Sequence, residues 1–374
     1  MIHPNRIAVK VLSVVGARPN FVKTAPVIKE LDRRGISQVL VHSGQHYDKE
    51  LSQFILEDLG MPRPDYNLGV GSASHGVQTG KILEALDPVI LREKPDVVLV
   101  PGDTNTTLAG ALAGVKLKIP VAHIEAGVRC ASFYRDDRWR LQPEQINRPV
   151  IDQISDFLFC PMRSCAAYLR REGVPRSKVF VTMDTMLDAF QENLPKALDR
   201  VRRLEELGLR SGEYLLLTTH RPDNVDAGRA LAGILDGCAA SGMPVYFPAH
   251  PRTRRSLRHA ARRYRNLVFA PPARYLDFLL LLKHARLLVT DSGGAQKEAL
   301  WCRTPCITLR DETEWMETVD LGANALAGWT PTRKTLAPLI RRMADTKVRF
   351  RRNPYGDGHA SERIVRILER HSCR

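Results

Sequence analysis

Short apolar runs alternate with longer segments of helical spacing along the chain. The apolar runs are continuous, which is typical of strands buried on both faces of a parallel sheet. The longer segments predict the helices that would cover those faces. In the first half the predicted strands are 9–15, 38–42, 96–101, 120–124, 156–160 and 178–182, and the predicted helices are 21–33, 48–59, 76–93, 143–155 and one that ends at 116, with 16–20 as a turn.

The alternation restarts after a helix near Leu187, and a chain of 374 residues is long enough for two domains. Two successive doubly wound, Rossmann-like α/β units therefore fit better than one large sheet. We place them at 6–182 and 183–356, and we expect ligands in a cleft between them, beyond the carboxyl ends of the strands. Predicted strands of the second unit are 214–219, 245–248, 266–269, 287–290 and 306–308.

The segment 287–299 predicts a strand, a tight Ser292-Gly293-Gly294 turn and a helix start. A helix start has unpaired N–H groups and a positive dipole end, and glycines let a phosphate approach them closely. Glu298 follows one turn later, and its carboxylate suits a sugar or ribose hydroxyl instead. The turn predicts a site for a nucleotide or sugar diphosphate. The alternative is an ordinary turn with Asp291 or Ser292 as helix cap.

Other chemically active side chains follow the predicted strands. They are Arg18 and Lys23 after the first strand, Asp103 after the third, Glu125 after the fourth, Glu144 and Arg148 at the next helix start, and His220 in the second unit. Each has an ordinary alternative: Asp103 as a helix cap, Glu144 and Arg148 as a surface ion pair, and His220 as a buried, satisfied histidine. Together they predict acid–base chemistry on a nucleotide sugar.

The formal net charge of +15 raises the question of whether the protein binds nucleic acid. The excess is concentrated in Arg-rich segments at 200–210, 252–265 and 341–352, which no nucleic-acid motif accompanies. We interpret these segments as solvated helix faces, with attraction of an anionic substrate as a weaker alternative. The sequence therefore predicts no nucleic-acid partner.

No apolar run approaches the roughly 20 residues needed to span a bilayer, so no membrane association is predicted. The seven cysteines form no C-x-x-C pair and no paired Cys/His spacing. Reduced core thiols in a cytoplasmic protein are the favoured interpretation, and no metal site is predicted.

Eight motifs in order resemble the non-hydrolysing UDP-N-acetylglucosamine 2-epimerase family. The similarity runs from Val14 to Ile367 and is carried by GARPNFVKTAPV, HSGQHYD, PGDTNTTLAG, HIEAGVR, PEQINR, THRPDN, DSGGAQKEA and LRDETEWMET. The resemblance implies a fold like type-B glycosyltransferases, with two Rossmann-like domains facing a cleft. It also implies a homodimer and a C-terminal helix, within 357–374, that packs back on the first domain.

The family reaction implied by the resemblance eliminates UDP across C1 and C2 of a UDP-2-acetamido sugar, and UDP adds back to a glycal intermediate. No cofactor is required. Carried over by motif, the acid–base carboxylates are Asp103, Glu125 and Glu144, with His220 as the catalytic histidine. The implied substrate-binding residues are Arg18, Lys23, Arg148, Phe278 beside the uracil, Ser292, Gly293, Gly294 and Glu298.

Four departures from the family pattern leave the substrate open. Trp315 stands where many members have Arg, in a TEW-ET form similar to epimerases of UDP-diacetamido-uronic acids. Gln145 replaces a second Glu, Met183 replaces a hinge glycine and predicts a locally different backbone, and the loop 129–142 is long and basic. The alternatives are the same reaction on a UDP-diacetamido-uronic acid, a type-B glycosyltransferase, or a UDP-sugar-binding protein without catalysis.

Overall fold

The chain forms two compact α/β units, each built on a parallel sheet. A computed structural model describes residues 9–45, 49–136, 142–225, 228–249 and 263–371. Unit 1 comprises residues 1–192 with 353–374, and unit 2 comprises 193–352. The sequence-based boundaries were placed at 182/183 and 356/357, so both lie within ten residues of this division. The predicted parallel α/β class is confirmed.

The sheet of unit 1 has seven strands in the described ranges, in the order β3-β2-β1-β4-β5-β6-β7. All its pairs are parallel. The strands are β1 Lys10–Val15, β2 Ser37–His42, β3 Tyr66–Asn67, β4 Val97–Pro101, β5 Val121–Ile124, β6 Phe157–Cys160 and β7 Val179–Val181. The sequence did not predict β3, because two residues are too short to show a periodic pattern.

Helices cover both faces of this sheet and their apolar sides form its cores. They are α1 Arg18–Arg33, α2 Lys49–Leu59, α3 His75–Glu93, α4 Asn105–Lys116, α5 Pro143–Ile154, α6 Arg163–Arg171 and α7 Thr185–Leu198, with short 3₁₀ turns at Ala131–Tyr134 and Arg176–Lys178. The turn predicted over 16–20 extends too far, because α1 already begins at Arg18. Pro19 fits a first helical turn, where its missing N–H is not needed.

The sheet of unit 2 has six described strands in the order β10-β9-β8-β11-β12-β13. These are β8 Leu215–Thr218, β9 Val245–Pro248, β10 Leu267–Ala270, β11 Leu287–Thr290, β12 Cys306–Thr308 and β13 Asn324–Leu326, which was not predicted. The described helices are α8 Arg202–Glu206, α9 Pro222–Val225, α10 Gly228–Ala239, α11 Tyr275–His284, α12 Gly293–Cys302, α13 Met316–Asp320 and α14 Arg333–Ala344.

The C-terminal helix α15, Ala360–His371, belongs to unit 1 and packs on α1. Its Ile364 and Val365 are fully buried in the core that contains Val27 and Leu31 of α1. Asp188 of α7 holds its N-terminus by accepting hydrogen bonds from the Ala360 and Ser361 N–H groups. A segment distant in sequence thereby completes the first unit.

The Arg-rich segments 200–210 and 341–352 carry exposed basic side chains, as expected of solvated faces. Most of the third segment, 252–265, lies outside the described residues, as does 137–141 of the basic loop 129–142. Six cysteines of the described ranges are buried. None of the described helices is long and apolar enough to cross a membrane.

Met183 has a left-handed backbone with a φ of +74°, in the region that favours glycine. Its N–H bonds to the Cys160 carbonyl at 3.2 Å, so β6 holds the backbone in place. The departure from the family glycine is therefore accommodated by strain in this residue. A left-handed conformation costs an L-residue about 1–2 kcal/mol, and glycine avoids most of that cost.

Met183→Gly should therefore raise the free energy of unfolding, by up to about 1 kcal/mol once the extra entropy of an unfolded glycine is subtracted. Met183→Val should lower it, because a β-branched residue fits the left-handed region poorly. Thermal unfolding of the three proteins checks that stability decreases in the order Met183→Gly, parent, Met183→Val. A Val variant as stable as the parent would contradict the assignment of strain.

Candidate active site

The turn after β1 is fastened to the turn after β4 by one amide side chain. Asn20 accepts hydrogen bonds from the N–H groups of Gly16 and Ala17 at 3.2 and 3.0 Å, and donates to the Pro101 carbonyl at 3.0 Å. A side chain on Gly16 would meet Ser43 Oγ at 2.2 Å, so only glycine fits there. Because parallel strands end at the same edge, these contacts bring the residues after β1 and β4 together.

Asp103 follows β4 and is held by α5. Its carboxylate accepts two hydrogen bonds from the Arg148 guanidinium at 2.6 and 2.9 Å, and its carbonyl accepts one from Asn147 Nδ2 at 2.9 Å. The ordinary alternatives for both residues are wrong. The cap of α4 is Thr104, and Arg148 is a buried residue that binds Asp103 instead of forming a surface pair with Glu144.

Glu125 follows β5 and forms a buried ion pair with Lys23 of α1, at 2.6 Å. Lys23 Nζ also lies 2.8 Å from the position that a Cβ on Gly102 would take, so the ammonium lies between the ends of β4 and β5. The backbone of Glu125 is left-handed, with a φ of +69°. Strain of this kind in a non-glycine residue is typical of functional positions. Its N–H is bonded to the Phe159 carbonyl, which fixes this turn on β6.

Glu144 and Arg18 lie at the starts of two helices. Glu144 is in the first turn of α5, half-buried, one turn before Arg148. Arg18 is the exposed first residue of α1. In unit 1 the structure therefore joins Asp103 to Arg148 and Glu125 to Lys23.

His220 follows β8 in unit 2, and its side chain is 62% exposed, so the alternative of a buried histidine is wrong. Its Nδ1 lies 2.9 Å from a carboxylate oxygen of Asp291, which is fully buried. Asp291 also accepts hydrogen bonds from Thr219 Oγ1, Asn224 Nδ2 and the N–H groups of His220 and Arg221.

Burial tends to raise the pKa of Asp291, but the charge of His220 and hydrogen bonds from His220, Thr219 and Asn224 outweigh it and hold the pKa below its ordinary value. Asp291 is therefore an ionised carboxylate that orients the imidazole and leaves Nε2 directed away from it. Sequence reasoning considered Asp291 only as a helix cap. Its role beside His220 is visible only once β8 and β11 are seen to be neighbours.

The Ser292-Gly293-Gly294 turn opens α12 as predicted. Ser292 is the N-cap, and its Oγ accepts from the Ala295 N–H at 3.5 Å. A Cβ on Gly293 would lie 3.0 Å from Trp315 Nε1. Trp315 is buried, and Lys297 Nζ lies 3.8 Å from the centre of its ring. Trp315 therefore packs on the glycine turn, and its ring makes a cation–π contact with the buried ammonium of Lys297 on α12.

Glu298 and Phe278 are both buried in unit 2. Glu298 lies on α12, within two turns of the glycines, with 4% of its surface exposed. Phe278 lies on α11, which packs against α12, and is 8% exposed. The described residues contain no group of three or more His, Cys, Asp or Glu side chains placed to hold a metal ion.

Comparison with known proteins decides the family. A sequence model described as UDP-N-acetylglucosamine 2-epimerase matches residues 29–369. The chain belongs to the UDP-N-acetylglucosamine 2-epimerase family. This confirms the resemblance carried by the eight motifs, and with it the predicted isomerase class and the type-B-like fold.

Relatives in this epimerase family match almost the whole chain. A UDP-N-acetylglucosamine 2-epimerase of Methanocaldococcus jannaschii is 42% identical over 96% of this chain and 98% of its own length. Its crystal structure in complex with UDP-GlcNAc and UDP has a TM-score of 0.88 over 96% of this chain and 99% of that one. A UDP-2,3-diacetamido-2,3-dideoxy-D-glucuronate 2-epimerase of Pseudomonas aeruginosa is 39% identical over 96% of this chain and 99% of its own length.

The Neisseria meningitidis UDP-GlcNAc 2-epimerase bound to UDP-GlcNAc is 31% identical, with a TM-score of 0.86 over 96% of this chain and 100% of that one. The two named activities among these relatives share the C2 position of a UDP-sugar and differ in the sugar. The comparisons therefore fix the epimerase family, and the sugar depends on the residues of this chain.

Proposed function

We propose that this protein epimerises UDP-N-acetylglucosamine at C2 by eliminating UDP and adding it back to a glycal. The observation that carries the proposal is the pair of carboxylates at one sheet edge, Asp103 on Arg148 and Glu125 on Lys23, in a chain of this family. The proton at C2 is weakly acidic, so its removal needs a positioned base. The elimination also needs stabilisation of the UDP that leaves from C1.

We assign proton handling to Asp103, Glu125 and Glu144. The side chains of the first two have fixed directions, because each carboxylate is bonded to a buried cation. Glu144 is half-buried in the first turn of α5, where the helix dipole favours its negative form. Elimination and re-addition need two such groups, because the proton that leaves one face of the sugar must return to the other.

We assign the diphosphate to the Ser292-Gly293-Gly294 turn, whose N–H groups at the start of α12 have no partners within the helix. Arg18 is proposed as a further diphosphate-binding residue, because it is an exposed cation at a helix start. Glu298 and Phe278 are proposed to bind the nucleoside, through a hydroxyl and the uracil ring respectively. His220, oriented by ionised Asp291, is proposed to act on the leaving UDP.

The diacetamido-uronate substrate is the second candidate, since the Pseudomonas aeruginosa relative is nearly as similar and this chain has Trp315 in the TEW-ET motif. Turnover of each UDP-sugar by the same preparation separates the two. We further propose a homodimer in the cytoplasm, without cofactor or nucleic-acid partner. The buried thiols of the described residues suit a reducing compartment.

The reaction in deuterated water tests elimination and re-addition. The product should carry deuterium at C2, because the proton leaves to protein groups that exchange with solvent. Free UDP and glycal should accumulate slowly when the intermediate escapes. NMR of the products measures both. Epimerisation without deuterium at C2 would contradict the mechanism and would favour a transient oxidation or a shielded single-base transfer.

UDP should raise the melting temperature in proportion to the logarithm of its concentration, because a ligand that binds only the folded state stabilises it. Gly293→Val should lose this shift, since even a Cβ at Gly293 meets Trp315 at 3.0 Å. Gly80→Ala is the matched control, because a Cβ at Gly80 has nothing within 4 Å. An unchanged UDP shift in Gly293→Val would place the diphosphate elsewhere.

A further inference from the structure

His123 is a completely buried residue of β5 that bonds through both ring nitrogens. Its Nδ1 lies 2.8 Å from a carboxylate oxygen of Asp152 on α5, and its Nε2 lies 2.6 Å from the Gly102 carbonyl oxygen. Gly102 immediately follows β4, the neighbour of β5 in the sheet. The ring therefore connects α5 to the peptide that precedes Asp103.

Both of these partners are hydrogen-bond acceptors. A carbonyl oxygen can only accept, and a carboxylate accepts when it is ionised. Asp152 receives further hydrogen bonds from the Gly127 N–H at 3.1 Å and forms an ion pair with Arg129 Nη1 at 2.8 Å. Burial tends to raise the pKa of Asp152, but His123 and Arg129 outweigh it, and the pKa is below its ordinary value. Each ring nitrogen of His123 must then carry a proton.

The charges around His123 balance when the ring is an imidazolium. Arg129 donates two hydrogen bonds to Glu172 at 2.9 and 2.7 Å, and its side chain is fully buried. The cations His123 and Arg129 are thus matched by the anions Asp152 and Glu172, as buried charges require. We call these four residues the His123 cluster. Cys160 on β6 adds no charge, since burial and the charge of Asp152 raise the pKa of its thiol.

We propose that His123 donates hydrogen bonds from both ring nitrogens and positions Asp103 by holding the Gly102 carbonyl. The turn at Gly102 has a φ of +69°, and its N–H donates to the Ile124 carbonyl at 2.9 Å. Two side chains of α5, Asn147 and Arg148, hold the carbonyl and carboxylate of Asp103. His123 holds the one remaining carbonyl of this turn. The inference rests on the proposed function, because it matters to the reaction through Asp103.

Nitrogen NMR of the full chain labelled with ¹⁵N-histidine tests the charge. One histidine should show two protonated ring nitrogens, because both ring nitrogens of His123 lie within hydrogen-bond distance of an acceptor. Its signals should be missing in His123→Gln. An unprotonated ring nitrogen in the parent protein would overturn the inference.

Two substitutions of His123 separate the two hydrogen bonds. A glutamine amide nitrogen can take the place of Nε2 and donate to the Gly102 carbonyl, whereas an asparagine amide can take only the place of Nδ1, beside Asp152. His123→Gln should therefore keep kcat within about tenfold of the parent, the effect of one net hydrogen bond. His123→Asn should lose about 10²-fold in kcat with little change in KM, because a small misplacement of a catalytic group has that effect.

Asp188→Asn is the control for the loss of a buried hydrogen-bonded side chain in the same unit, because Asp188 caps α15 and bonds none of the proposed site residues. It should keep kcat while lowering the melting temperature. Equal kcat values for the His123→Asn and His123→Gln proteins would overturn the positioning role. The nitrogen signals do not depend on catalysis, so full turnover in Asp103→Asn would instead contradict the proposed function and leave the charge of His123 standing.

Discussion

Asp103→Asn and Glu125→Gln should each reduce turnover by about 10²–10⁴-fold, the usual contribution of a general acid or base. The replacements keep the size of the side chain and can still accept a hydrogen bond from Arg148 or Lys23. They remove the ability to take a proton. UDP should bind as before, because we assign the diphosphate to the turn at Ser292. Steady-state epimerisation and the UDP thermal shift, measured on the same samples, check the two halves of this expectation.

The matched control for these carboxylates is Glu93→Gln. Glu93 bonds to Lys10 and Tyr66 at the start of β1, which is the opposite edge of the same sheet. The Glu93→Gln protein should be less stable than the parent protein and should keep its turnover. Glu144→Gln should lose most turnover if it is the second proton-handling group. Near-parental rates in all three site variants would refute the assignment of acid–base chemistry to this edge.

Asp291→Asn should combine a loss of turnover of about 10²–10⁴-fold with a loss of stability. Its carboxylate accepts from Thr219, Asn224 and two backbone N–H groups, and an amide nitrogen cannot accept from them. Each buried donor left without a partner costs about 1–3 kcal/mol. The orientation of His220 is lost at the same time. Chemical denaturation and kinetics on the same samples measure the two effects.

The pH dependence of stability follows from the lowered pKa of Asp291. A carboxylate whose pKa is lower in the folded state stabilises it above the unfolded pKa of about 3.9, and this stabilisation is lost as the pH falls through the folded value. The parent protein should therefore lose stability below about pH 4 more steeply than Asp291→Asn. Asp236→Asn is the control variant. It removes a partly exposed carboxylate that bonds to Tyr264, and it should keep turnover. Parallel acid dependences of parent and Asp291→Asn would contradict this account.

Much of the fold was predictable because the chain is locally consistent. Buried parallel strands have to be apolar throughout, so their positions are visible as apolar runs, and the strands that were missed are two or three residues long. The glycine turn at Ser292 was predictable for the same reason, since its strand, turn and helix are contiguous. The candidate residues could be placed at one edge because parallel strands share the position of their carboxyl ends.

The partners of those residues were not predictable. Arg148 was compared with Glu144, four residues away, and binds Asp103, which is 45 residues away. Asp291 was considered as a cap and instead orients His220, from 71 residues further along the chain. His123 was not considered at all, because a histidine inside an apolar strand gives no signal until its two acceptors are in place.

The sequence by itself determined the class of fold, the order of the strands along the chain, the family and the chemical types present at the strand ends. These depend on local composition, periodicity and contiguous motifs. Only the tertiary structure decided which cation holds which carboxylate, which histidine is exposed and which is enclosed between acceptors. Those outcomes depend on contacts between residues far apart in the chain, where a difference of a few tenths of an ångström decides whether a hydrogen bond forms.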